Sequence, residues 1–222
     1  MFRTAVTAAV GALLAGVVLS ACGPVKMGTA ATVGDERITT ARLDSTVAKW
    51  REEFAANRQA ALVQQAAEQQ GQRLPFDPDS PHRSALYQLI GFKIWDEVAR
   101  EQGITVTQGQ IDGLLGGLGG PSGVSAAVLA SDIPLRHTND VARVVLIQQM
   151  LLQRYGAAPN AQGQLDLAAQ QRALRQRDAV YSAAAGRLDI TVNPRFGGGF
   201  DARQVSLNPV SYRLSKTESG TG

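Results

Sequence analysis

Apolar residues recur every three or four positions in several stretches of the chain, a pattern typical of amphipathic helices. One long helix is predicted over residues 40–70, with a stripe of Leu43, Val47, Trp50, Phe54 and Leu62. Further helices are predicted over residues 81–102, 107–118, 138–155 and 161–187, and a short one within residues 122–131. Each long helix starts after a Ser, Thr or Asn or ends near a glycine, as helix caps require.

Short β-rich runs stand on both sides of this helical region. Residues 31–38 are predicted to form two short strands joined by a tight turn, and residues 189–193 a third strand. We expect the first of these strands to pair with the last, which brings the two ends of the domain together. The predicted fold class is mainly α, with long helices in a bundle and a small β element.

The first part of the chain has the pattern of an export signal. Arg3 precedes an uncharged apolar run, Ala5 to Leu19, which is shorter than the roughly 20 residues that a spanning helix needs. The run ends in Leu19, Ser20, Ala21 and Cys22, which resembles the lipobox of bacterial lipoproteins. The resemblance implies a signal peptide over residues 1–21, cleavage before Cys22, and a diacylglyceryl group on its thiol, to which an N-acyl chain can be added.

The remaining boundaries follow from composition. Residues 22–30 are expected to be a spacer between lipid and domain, residues 31–197 the helical domain, and residues 198–222 a flexible tail rich in Gly, Ser and Asn. Cys22 is the single cysteine, so no internal disulfide can form and an apolar core must hold the fold. The net charge of +3 is too even to predict nucleic-acid binding.

Residues suited to catalysis are few. His82 and His137 stand at predicted helix starts without a partner motif, and both are predicted to be solvated end residues. Neither has a second nitrogen or sulfur ligand within helical reach, so no metal site and no other cofactor are predicted. The glycine runs 116–120 and 197–199 lack the context of a phosphate loop and are interpreted as flexible connections. We therefore expect no enzymatic activity.

Two further expectations concern apolar side chains. The aromatic residues Trp50, Phe54, Phe92, Trp95 and Tyr155 could line a ligand groove, but their helical spacing favours a place in the core. A helix over 40–70 is too long to be buried along its whole length in a domain of this size. Its surface around Leu62 and Val63 is therefore a candidate binding site for a client polypeptide or a partner.

Several short motifs resemble those of one family. Residues 31–39, Ala-Thr-Val-Gly-Asp-Glu-Arg-Ile-Thr, followed by Leu43 in a helix, resemble the opening of the N-terminal domain of SurA-type periplasmic chaperones and PrsA-like foldases. Residues 103–107, Gly-Ile-Thr-Val-Thr, with Ile111 and Asp112, resemble a second signature of that family. Residues 190–197 resemble the end of small exported lipoproteins that carry this domain alone. The resemblance implies a helical module that binds unfolded or partly folded exported polypeptides.

The chain departs from that family in one respect. The larger chaperones carry a parvulin-type prolyl isomerase domain, whereas here Tyr155 leads through one helix directly to Asp189 and leaves no room for it. The resulting hypothesis is a non-enzymatic lipoprotein, anchored at the outer face of the cell membrane, with chaperone-like binding of exported polypeptides. One alternative is a structural or adaptor lipoprotein that docks a single envelope partner, and another is a degenerate isomerase. The pattern leaves the oligomeric state open.

Overall fold

The computed structural model of the protein describes residues 27–69, 80–118, 120–157 and 166–210. Within these residues the chain is mainly helical with two small antiparallel sheets, so the predicted fold class is confirmed. The helices are α1 (Thr40–Ala55), α2 (Arg58–Gln69), α3 (Pro81–Gln102), α4 (Gln108–Gly117), α5 (Gly120–Leu129), α6 (Thr138–Arg154) and α7 (Leu167–Arg187). The strands are β1 (Thr29–Val33), β2 (Glu36–Thr39), β3 (Ile190–Val192), β4 (Phe200–Asp201) and β5 (Ser206–Leu207).

The two ends of the helical domain meet in a three-stranded sheet with β1 at its centre. β1 pairs antiparallel with β2 and, on its other edge, antiparallel with β3, where Ala31 lies opposite Val192. The side chain of Asn193 extends this contact by donating from Nδ2 to the Thr29 carbonyl oxygen at 2.9 Å. The predicted pairing of the N-terminal and C-terminal strands is confirmed.

The sheet begins earlier than the sequence pattern indicates. β1 starts at Thr29, so the last two residues of the predicted spacer, Thr29 and Ala30, belong to the folded domain and are buried. Their backbone is engaged as well, since the Ala30 carbonyl oxygen accepts a hydrogen bond from the Asn193 N–H at 2.9 Å. Small side chains at these positions let the strand pack closely without an apolar pattern that sequence reasoning would detect.

The single helix predicted over residues 40–70 is wrong, because the chain turns between α1 and α2. Asn57 lies in the turn, and its Oδ1 accepts a hydrogen bond from the Ala60 N–H at 3.0 Å, as a helix cap does. The turn directs α2 against α5, where Ala60 joins a small apolar cluster with Trp50 and Leu129. Leu62 therefore lies on a separate helix and does not continue the stripe of α1.

Helix α3 lies at the centre of the fold, in contact with α1, α6, α7 and β1. Its predicted buried stripe is confirmed: Leu86, Leu89, Ile90, Ile94 and Val98 are all buried. The helix ends at Gly103, whose φ of 61° is the left-handed conformation that glycine adopts without steric cost. The sequence pattern therefore predicted both the limits of α3 and the face that it buries.

Helices α4 and α6 begin and end close to their predicted limits, whereas α7 ends as predicted but begins at Leu167, six residues after the predicted start at residue 161. Thr107 and Gln110 form a reciprocal capping box at the start of α4. In α7, Leu167, Leu174 and Tyr181 stand seven residues apart, and burial increases along this series: Leu167 is exposed, Leu174 half-buried and Tyr181 buried. The N-terminal half of α7 therefore contributes little to the core.

The prediction that the whole of residues 198–222 is a flexible tail is wrong for residues 198–210. These residues form the β4–β5 hairpin, which packs on α3. The Arg83 guanidinium holds it by donating to the carbonyl oxygens of Phe196 at 2.6 Å and Asn208 at 3.1 Å. Gly197 has a φ of 121°, and a Cβ there would collide with the Asn208 carbonyl oxygen, so this glycine is part of a packed contact. Residues 211–222 lie outside the described residues.

The loop after α5 contains a buried acid in an unusual backbone conformation. Asp132 is 4 % exposed, and its φ of 60° lies in the left-handed region. Its Oδ1 is buried and finds no hydrogen-bond partner in the described part of the chain. Burial disfavours the charged carboxylate and raises the pKa of Asp132 to about 7.

The first prediction tests the sheet. Val33→Asp and Val192→Asp should each lower the free energy of unfolding by about 3–5 kcal/mol, because each places an unpaired carboxylate against the core. Urea unfolding of the full chain measures the change. Thr191→Asp, at an exposed position of β3, is the matched control and should cost less than about 1 kcal/mol. Unchanged stability of both valine variants would show that the two strands do not join the core.

The second prediction concerns pH. Between the ordinary pKa of 3.8 and the folded-state pKa of about 7, folded Asp132 holds a proton that the unfolded chain has released. The free energy of unfolding should therefore fall by about 2–4 kcal/mol as the pH rises across this window. Asp132→Asn, which keeps the shape and tolerates a positive φ, should remove this contribution, whereas exposed Asp112→Asn should not. Equal pH dependence of the wild type and Asp132→Asn in urea unfolding would contradict the assignment.

Candidate functional site

A groove opens between α3, α6, α7 and the turn that joins β4 to β5. Its volume is about 520 Å³, which falls in the range of about 300–1,000 Å³ typical of ligand sites. Its aromatic lining residues are Tyr87, Phe92, Trp95 and Tyr181. Three of these four lie on α3, so the helix at the centre of the core also provides one wall of the groove.

A glycine makes room for the groove. Tyr87, Gly91 and Trp95 are four residues apart and therefore lie along one face of α3. A Cβ at Gly91 would lie 3.4 Å from the Tyr181 hydroxyl, so any larger side chain would extend into the space between the helices. Glycine inside a helix costs about 0.5–1 kcal/mol relative to alanine. Gly91 therefore leaves the space between the helices open at a small cost in helix stability.

The floor of the groove presents hydrogen-bond donors without acceptors. Tyr181 is 8 % exposed, and its ring lies 4.4 Å from that of Trp95, measured between centroids. Among the described residues, neither the Tyr181 hydroxyl nor the Trp95 indole N–H has a hydrogen-bond partner. Burial raises the pKa of Tyr181, with a smaller contribution from Tyr87, and burial also raises the pKa of Tyr87. Tyr181 is buried and Trp95 is half-buried, and both polar groups can donate, so they are suited to a ligand that accepts hydrogen bonds.

The rim of the groove is polar and carries more positive than negative charge. The Arg177 guanidinium donates to the Asp178 carboxylate at 2.7 Å and to the Gln148 side-chain oxygen at 3.5 Å. Arg203 lines the groove from the turn between β4 and β5, and its guanidinium has no partner within the described ranges. One ion pair and one free guanidinium therefore border the aromatic walls.

The turn beside Arg203 is strained at a residue that lines the groove. Val205 has a φ of 50°, a conformation that β-branched residues rarely adopt and that costs about 1–3 kcal/mol. The turn is held by the Asp201 carboxylate, which accepts hydrogen bonds from the N–H groups of Arg203 at 2.8 Å and Gln204 at 3.0 Å. Strain of this kind is concentrated at ligand sites in proteins.

The residues that the sequence singled out for client binding lie elsewhere. Leu62 is 63 % exposed and Val63 is 39 % exposed on α2, as the expectation of an exposed helix surface requires. Neither residue lines the groove. The structure therefore separates the predicted client-binding pair from the groove.

The prediction that both histidines are solvated end residues is wrong for His137. Its side chain is packed inside the fold, 6 % exposed, with Nδ1 at 2.7 Å from an Asp140 carboxylate oxygen and the ring 5.8 Å from that of Phe92. The Arg136 Nε–H lies 3.4 Å from His137 Nε2. Both ring nitrogens are thus occupied by structural contacts. His82 is partly exposed and lies 3.3 Å from Asp44.

Of the five aromatic residues considered for a ligand groove, two lie in the core, two line the groove, and Tyr155 is half-buried outside the groove. Trp50 and Phe54 pack on each other at 5.2 Å, and the Trp50 indole N–H donates to the Leu129 carbonyl oxygen at 2.9 Å, so both belong to the core. Phe92 and Trp95 line the groove. Sequence reasoning missed Tyr87, Gly91 and Tyr181. The four-residue spacing of Tyr87, Gly91 and Trp95 could have indicated one wall, but Tyr181 is distant in the chain.

The described residues contain neither a cluster of metal ligands nor a membrane-spanning helix. No group of three or more His, Cys, Asp or Glu side chains is placed to hold a metal ion. Across the same residues, no helix combines the length and the apolar character needed to cross a membrane. The lipobox residues Leu19, Ser20 and Ala21 and the predicted lipidation site Cys22 lie outside the described residues.

Comparison of the chain with protein-family models, with curated proteins and with solved structures gave no match.

Proposed function

We propose that the protein is an exported lipoprotein, held by Cys22 at the outer face of the cell membrane, that binds unfolded or partly folded exported polypeptides in a chaperone-like manner. The lipobox supports the anchor, and the groove supports the binding role. The groove has no catalytic task in this proposal. The polypeptide partner contacts its aromatic walls and accepts hydrogen bonds from its floor.

The single observation that carries the proposal is the unpaired Tyr181 hydroxyl in an aromatic groove of about 520 Å³. A polypeptide in an unfolded state offers both apolar side chains and unpaired carbonyl oxygens. The aromatic walls favour the apolar side chains, since burial of apolar surface contributes about 25 cal/mol per Å². The donors on the floor favour the carbonyl oxygens.

The early start of β1 affects the geometry of anchoring. Thr29 stands seven positions after Cys22, so at roughly 3.5 Å per extended residue the spacer reaches at most about 25 Å. A lipid on Cys22 would therefore keep the folded domain close to the membrane surface. The protein would meet exported chains near the place where they leave the membrane.

An adaptor that docks one envelope partner is the second candidate. It is favoured by the exposed Leu62 and Val63 on α2, a helix whose residues from Gln59 to Ala67 carry no charge. An exposed apolar surface of this kind is typical of a site that binds a partner protein. The two candidates use different surfaces of the molecule, which allows mutations to separate them.

The third prediction tests the anchor. Cys22→Ala should release the protein from the membrane fraction and abolish acyl labelling, because each buried methylene of the lipid contributes about 0.8 kcal/mol to membrane binding. Fractionation after labelling with a fatty-acid analogue measures both effects. Ser20→Ala, which leaves the thiol in place, is the control. Membrane retention of unlabelled Cys22→Ala at the wild-type level would refute the proposed anchor.

The fourth prediction tests chaperone-like binding. The full chain should suppress aggregation of an unrelated unfolding protein, measured by light scattering, without accelerating isomerisation of a proline peptide. Val144→Glu places a carboxylate at a half-buried position of the groove lining and should reduce suppression at least about fivefold, because an apolar client side chain would have to displace water from the charge. Ala48→Glu, on the exposed surface of α1, should have no effect.

The same assay separates the two candidates. Leu62→Glu combined with Val63→Glu should leave the melting temperature unchanged, because both positions are exposed. Loss of suppression in this double variant alone would place the client on α2. Absence of suppression by the wild type at several-fold molar excess would remove the chaperone role, and recovery of one crosslinked partner through α2 would then support the adaptor.

A further inference from the structure

We infer that the groove takes an extended, proline-containing polypeptide segment in the polyproline II conformation. The inference rests on the proposed function and specifies which segments of an exported chain the groove selects. It follows from the chemistry of the floor, the walls and the rim.

The floor determines which hydrogen-bonding groups the ligand needs. The Trp95 indole N–H can only donate, and the nearly buried Tyr181 hydroxyl faces the groove without a partner among the described residues. Because the indole N–H only donates and the hydroxyl can donate, a ligand that presents carbonyl acceptors to the floor is favoured. Proline-containing segments meet this requirement, because each residue offers a carbonyl oxygen and each proline lacks an N–H.

The walls determine the shape of the ligand. Trp95 and Tyr181 are in ring contact and form one aromatic surface, and Tyr87, 6.5 Å from Phe200, borders a second. Polyproline II segments have no internal hydrogen bonds, and their carbonyls project outward to a donor-bearing surface. Aromatic-lined grooves recognise them because the segment is already ordered before binding, which lowers the entropic cost.

The rim excludes the main competing ligands. A cationic ligand would meet Arg177 and Arg203, and the one acidic side chain of the lining, Asp178, is already paired with Arg177. A small multivalent anion would find a single free guanidinium, Arg203, in the described part of the lining. A neutral or weakly acidic polypeptide fits both conditions, with Arg203 free to pair with a carboxylate beside the bound segment.

The test uses the purified full-length chain in lipid nanodiscs and two labelled peptides. The first consists of Pro-Leu-Pro repeats followed by one glutamate, and the second replaces every proline with alanine. Fluorescence anisotropy should show binding of the proline peptide, and the alanine peptide should bind at least about tenfold more weakly. Empty nanodiscs provide the blank.

Variants place the binding in the groove. Tyr181→Phe removes a hydroxyl that has no partner in the described structure, so the fold should be retained while affinity for the proline peptide falls about fivefold. Tyr155→Phe, a tyrosine outside the groove, is the matched control and should bind as the wild type does. A second readout does not need either variant. Trp50 and Trp95 are the two tryptophans of the chain, so Trp50→Phe leaves Trp95 as the reporter, and its emission should shift on addition of the proline peptide.

The outcomes distinguish this inference from the proposed function. Equal affinity for the two peptides, or no response of Trp95, overturns the inference. If suppression of aggregation persists in that case and is lost in Val144→Glu, the proposed function stands and the groove has another preference. If neither peptide binds and no suppression occurs, the inference and the proposed function are both wrong. Proline-dependent binding that Tyr181→Phe leaves unchanged would place the segment outside the groove and also overturn the inference.

Discussion

The burial of α3 is the constraint on which the rest of the structure depends. Leu86, Ile90 and Ile94 are fully buried, and the helix contacts α1, α6, α7 and β1 at once. Because protein interiors are packed as densely as organic crystals, each neighbouring helix is positioned by the side chains of α3. The face with Gly91 is where close packing stops. The groove is thus bounded by elements whose positions the core determines.

The N-terminal and C-terminal segments of the domain both pack against α3. β1 lies between β2 and β3, and the segment after β3 continues into the hairpin that Arg83 attaches to the start of α3. One edge of the groove therefore comes from residues after 197, whereas its opposite wall comes from α3. The hydroxyl of Ser182 on α7 donates to the Ala202 carbonyl oxygen at 2.5 Å and joins the hairpin to a third element. A contact near the end of the described chain thus shapes the site.

The molecule also retains several groups that a purely stable fold would avoid. Val205 adopts a strained conformation, Asp132 is buried with an unpaired oxygen, and Tyr181 lacks a hydrogen bond within the described residues. The strained backbone of Val205 and the buried unpaired oxygen of Asp132 each cost about 1–3 kcal/mol against a total stability of about 5–15 kcal/mol. Val205 and Tyr181 line the groove. The groove thus combines one strained backbone position with one hydroxyl that has no partner among the described residues.

Local signals in the sequence determined much of the fold. Capping residues such as Thr107 and Gly103 act within a few positions of themselves, and the stripe of α3 repeats with the helical period, so both could be predicted. The paired strands at the two ends could be predicted because β-branched residues stood apart from the helical pattern. The class of fold therefore followed from patterns that need no tertiary information.

Contacts between distant parts of the chain decided the rest. The turn at Asn57 arises because α2 packs on α5, His137 is buried because Asp140 and Phe92 surround it, and the hairpin is ordered because Arg83 binds its carbonyl oxygens. The groove needs Trp95 and Tyr181 in contact across 86 positions of sequence, which no local period encodes. The sequence alone determined the helices, their caps and the paired ends. Only the tertiary structure decided where close packing ends and a binding site begins, because that depends on which side chains meet across the core.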